Sequence, residues 1–181
     1  MSTSVKNKNN FNSSIIEDLK SSEKTKVKNA IKKLSSKADE SIVQSLLDLY
    51  STLNEESFVK QELKSVFSQL KISKALPVLI ENLSNKNNRI KELSLFSIWS
   101  SNLDATDHIP KIVECACKGD FMVTLEALTL IENLEGPFNE QDLIESMITI
   151  NEYLTENSND KIDLIKSILE TIKSYEQQIQ I

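Results

Sequence analysis

The sequence predicts an all-α fold: an α-solenoid of about five antiparallel helix pairs, with an irregular helical bundle as the alternative architecture. Three observations carry this expectation. Apolar residues recur at three- and four-residue steps almost without a break, and no stretch alternates with period two. Only 2 glycines and 3 prolines occur in 181 residues, which argues against a Rossmann sheet, a glycine-rich phosphate loop and most turn-rich all-β folds. A β-branched residue followed by a polar one recurs at intervals in the low thirties, at Val27-Lys28, Val59-Lys60, Ile90-Lys91 and Val123-Thr124. A period of that length with two helices per unit is the mark of stacked repeats, each burying its apolar face only against its neighbours.

Residues 1–12 are polar, with only Val5 and Phe11 as apolar anchors, and are expected to form a disordered tail ahead of one helical-repeat domain over 13–181. Helices are predicted at 13–21, 24–36, 40–53, 56–71, 74–84, 88–101, 107–118, 121–134, 139–156 and 160–178. Short polar breaks separate them, and several supply Ser, Thr, Asp or Asn as N-caps, among them Asp104 or Thr106. Pro77 and Pro110 each fall early in a segment, where the missing N–H costs little.

The stretch 75–101 is the clearest unit: Ala75-Leu76-Pro77-Val78-Leu79-Ile80, a polar turn, then Arg89-Ile90-Lys91-Glu92-Leu93-Ser94-Leu95. It resembles the HEAT-repeat family, with an early proline in the first helix and a Val-Arg-like pair opening the second. Val27-Lys28-Asn29-Ala30-Ile31 is similar to that second half. The resemblance spans five pairs: 13–37, 39–71, 73–102, 104–135 and 137–178. Lys stands where the family favours Arg, Thr124 replaces it in the fourth unit, and Ser22, Asn54, Asn85 and Lys118 occupy the family's Asp position. An Asp–Arg ladder is therefore not expected, and apolar packing must hold the repeats together.

The net charge of −6, with a pI near 5.0, hides an asymmetry. Nine of the lysines fall within 1–37, against Glu17, Asp18 and Glu23, whereas 103–157 holds 12 carboxylates against Lys111 and Lys118. A basic end on an acidic body can present one sign to a partner or associate weakly head to tail. It is a poor footprint for nucleic acid taken whole.

Catalytic and metal chemistry finds little support. Cys115 and Cys117 stand two apart on a predicted helix and point to different sides, so they make neither an ordinary disulfide nor a chelating pair. Asp104, Asp107, His108 and Glu114 form the one His–carboxylate cluster, and no second His exists to complete a structural zinc site. The carboxylate groups Glu55/Glu56, Asp104/Asp107 and Glu140/Asp142/Glu145 fall mostly at helix starts, where the macrodipole favours them. No Gly-x-Ser-x-Gly context occurs. No cofactor, metal or catalytic residue is expected.

Lys24, Lys28 and Lys32 share one stripe at four-residue steps, opposite Val27, Ile31 and Leu34. The HEAT resemblance implies that second helices line a concave surface, which puts this stripe beside Lys60, Lys64 and Lys91, with Glu126 and Glu132 further along. Trp99 is either an interface anchor or a wedge between repeats. Tyr175 and Ile179 end a long apolar stripe whose far end could dock on a partner.

The expected function is a non-catalytic protein-binding scaffold or adaptor that uses the concave face of the solenoid, with Lys24, Lys28, Lys32, Lys60, Lys64, Lys91, Glu126 and Glu132 as partner contacts. Nucleic-acid or phosphate binding through the lysine stripe is one alternative, and the resemblance supplies a second, a HEAT-like lyase or glycosylase-type enzyme. No apolar run approaches a membrane span and the polar start lacks a signal-peptide core, so a cytoplasmic protein with a protein partner is expected.

Overall fold

The computed structural model describes residues 2–37, 40–70 and 74–179; the side chains at 2–10, 35–37 and 179 lie outside the described residues. Among the described residues there are ten α-helices and no strand. They are α1 (Ser2–Leu19), α2 (Lys24–Lys37), α3 (Glu40–Thr52), α4 (Phe58–Phe67), α5 (Ala75–Asn82), α6 (Asn88–Ser100), α7 (Ile109–Lys118), α8 (Phe121–Glu132), α9 (Glu140–Glu156) and α10 (Ile162–Ile179), with a 3-10 turn at Thr106–His108 before α7. Each overlaps a predicted segment. At the N-terminus, α1 takes in the backbone from Ser2 onward, the stretch whose polarity suggests a disordered tail.

Local chemistry explains the boundaries. Asn87, Asp120 and Asn139 occupy N-cap positions with extended backbone. Their side-chain oxygens accept hydrogen bonds from the N–H groups of Arg89, Val123, and Gln141 and Asp142, respectively. Pro110 sits in the first turn of α7, where its absent N–H is not missed. Gly119 joins α7 to α8 because a Cβ there would lie 2.3 Å from Val123 Cγ1, inside a core side chain.

The contacts divide the chain into two compact units, 1–78 and 79–181, where the sequence suggests one domain over 13–181; the boundary falls within α5. In the first unit α1 packs on α2 and α3, and α4 packs on α2 and α3. Its core holds Ile15, Leu19, Val27, Ala30, Leu34, Ile42, Val43, Leu46, Leu47, Leu63 and Phe67. In the second unit α7 packs on α8 and α9, α8 on α6 and α10, and α9 on α10. The same pattern recurs in both units: α1 with α2, α3 with α4, α7 with α8 and α9 with α10 pack as neighbours in sequence, and α1 on α3, α2 on α4, α6 on α8, α7 on α9 and α8 on α10 pack as alternate helices. Ile98, Ile112, Val113, Val123, Ala127, Ile131, Leu143, Ile150, Ile165, Ile168 and Ile172 fill the second core.

Candidate functional site

The lysine stripe is split by burial. Lys24, Lys28 and Lys32 are exposed on α2, with the Lys24 ammonium 5.9 Å from the Phe58 ring centre, and Lys64 is exposed on α4. Lys60 and Lys91, expected along the same edge, are only 5 % and 7 % exposed. Lys60 turns inward, its Nζ 2.5 Å from Glu55 Oε1 and 4.7 Å from the Tyr50 ring centre. An aromatic face and one carboxylate make that burial tolerable.

On the acidic side, Glu132 is exposed and Glu126 half-buried. Glu126 is held by the Trp99 indole, whose Nε1 donates to its Oε2 at 2.7 Å, and Trp99 packs edge-to-face on Phe96 with ring centres 5.4 Å apart. Trp99 is thus half-buried at the border between α6 and α8. Tyr175 is a core residue: it stacks on Phe138 at 4.0 Å, and its hydroxyl donates to the Ile131 carbonyl at 2.5 Å. Burial raises its phenol pKa above 10.0, with Glu132 adding to the shift. The Ile179 side chain lies outside the described residues.

The chemistry-bearing groups are occupied by structure. The thiols of Cys115 and Cys117 are free, and burial pushes them up to about 12 and about 11. Asp104 accepts a hydrogen bond from the Thr106 N–H at 3.0 Å, and its bonds with Thr106 hold its carboxyl below the usual range. It faces a hollow of about 170 Å³ lined also by Asn102, Thr106, Asn133 and Glu135. Among the described residues no three His, Cys, Asp or Glu side chains are placed to hold a metal ion. No helix among them is long and apolar enough to cross a membrane.

Two features escape the sequence reading. Lys161, 5 % exposed, sends its ammonium into the end of α7, donating to the carbonyls of Ala116, Cys117 and Gly119 at 2.8, 2.9 and 2.5 Å. These are carbonyls that a helix end leaves without intrahelical partners, and a cation there also meets the negative end of the dipole. Phe121, Met122 and Leu125, placed by their helical spacing within an apolar segment, are exposed on α8. That helix is apolar nearly all round, so periodicity cannot say which side faces out.

Compared with known proteins, the chain matches no family model, no curated protein and no solved structure.

Proposed function

We propose that this chain is a non-catalytic protein-binding scaffold whose helix pairs, HEAT-like and antiparallel, stack in two layers within each unit. Support for the stacking comes from the shared scheme of contacts: α1 on α3 and α2 on α4 in one unit, α7 on α9 and α6 on α8 on α10 in the other. The observation that carries the function is the exposure of Phe121, Met122 and Leu125 on an ordered helix whose other side is core. Grouped apolar side chains left in water mark an interaction surface. Recognition would be by a preformed face, with Trp99 and Glu126 at its border and Glu132 beside it. Lys24, Lys28, Lys32 and Lys64 remain as surface contacts of the first unit, whereas Lys60 and Lys91 do not.

The test is capture of interacting protein by the purified chain, with Leu125→Glu and a Lys24→Glu/Lys28→Glu/Lys32→Glu triple variant in parallel. A partner retained by the wild type and the triple variant but lost with Leu125→Glu supports the scaffold. The exposed lysines favour a second reading, phosphate or nucleic-acid binding. Nucleic acid that co-purifies at low salt, seen in the 260/280 nm ratio, and disappears in the triple variant would replace the scaffold reading with that one.

A further inference from the structure

We propose that the face formed by α6 and α8 docks a cationic amphipathic helix of a partner protein; the inference rests on the scaffold reading and names the partner's chemistry. Phe121, Met122 and Leu125 are 40 %, 44 % and 36 % exposed, so one turn of α8 presents three large apolar side chains to solvent. Glu126 lies one turn beyond Met122 and holds Trp99, which packs on Phe96. The α8 stripe and the α6 aromatic pair are thus joined at their border.

Charge selects the occupant. From Lys118 to Lys161 the sequence has no Lys or Arg between those two, but ten carboxylates. Of the cations nearby, Lys118 pairs with Glu114, Lys161 is held by the carbonyls ending α7 and Lys91 of α6 is buried, while Arg89 is exposed in the first turn of α6, at the far end from Glu132. An apolar stripe beside Glu126 and Glu132 fits a helix with apolar residues at i, i+3, i+4 and i+7 flanked by Lys or Arg. A second copy cannot supply it from its lysine-rich α2, because Val27, Ala30 and Leu34 of that helix are committed to their own core.

The probe is a labelled synthetic peptide of Leu and Lys at helical spacing and free of Trp, added to the full chain and followed by anisotropy and by emission of the single Trp. Two control peptides carry Glu for every Lys, or Ser for every Leu. Saturable binding of the Leu/Lys peptide alone, with a change in Trp99 emission, is expected. Leu125→Glu adds negative charge, so attraction by charge alone would tighten binding, whereas docking on the apolar stripe requires at least a tenfold loss. Met122→Gln, a milder change, should weaken binding in the same direction, and far-UV circular dichroism checks that both variants fold. Unchanged or tighter binding to both variants, or equal binding of the Glu peptide, overturns the proposal. Capture of a partner through Leu125 without peptide binding overturns the cationic helix and leaves the scaffold standing.

Discussion

At the end of α7 the ammonium of Lys161 does the work of missing backbone donors, reaching three carbonyls more than forty positions away in the chain while lying 5.0 Å from the Tyr153 ring centre. Lys161→Met keeps the length of the side chain but takes the ammonium from all three carbonyls, although that of Ala116 still accepts from the Thr124 hydroxyl. Loss of about 2–3 kcal/mol of stability is expected, read from urea unfolding. The thiols give a second check. Both are held protonated by burial, so the folded state keeps its protons longer than the unfolded chain. That contribution is present below the ordinary thiol value of 9.0 and fades as pH climbs towards about 11 for Cys117 and about 12 for Cys115. At pH 8, iodoacetamide should therefore modify neither cysteine in the native protein and both in urea, as counted by mass spectrometry.

The helices themselves were legible in the chain, because runs of apolar steps alternate with polar breaks, several of which offer a cap. Asp120 illustrates how much rests on one such residue. It caps α8 at the Val123 N–H and also accepts from Asn88 Nδ2 at 3.0 Å, linking the starts of α6 and α8. Asp120→Ala is expected to cost about 1–2 kcal/mol, measured by thermal or denaturant unfolding. That cross-link lay beyond the sequence, since nothing local to Asn88 or Asp120 states that the two helix starts are neighbours. The same gap separates Lys60 and Lys91 from Lys24: all are lysines beside apolar residues, and only tertiary packing decides which ones turn inward. On α8 the problem reverses. A helix with apolar residues on nearly every side gives no period to read, and the exposed Phe121, Met122 and Leu125 become visible only once α6, α7 and α10 have taken up the rest of its surface.

Each compact unit of the whole molecule has a core of its own. A fragment of residues 74–181, which keeps α5 intact, is expected to unfold cooperatively, with Trp99 emission and helical circular dichroism changing together. Failure of the two signals to coincide would count against an independent second unit. The pairing scheme has a kinetic consequence as well. Apart from α5, the main partners of each helix are its immediate neighbours in the chain or the next but one, the contact of α10 with α7 reaching one step further. Little loop entropy has to be spent before those contacts form, so the search for the native arrangement is short-range. Stopped-flow refolding from urea is expected to be complete within about milliseconds. A growing chain could also consolidate one pair at a time as it leaves the ribosome, never having to hold an early helix open for a partner made much later.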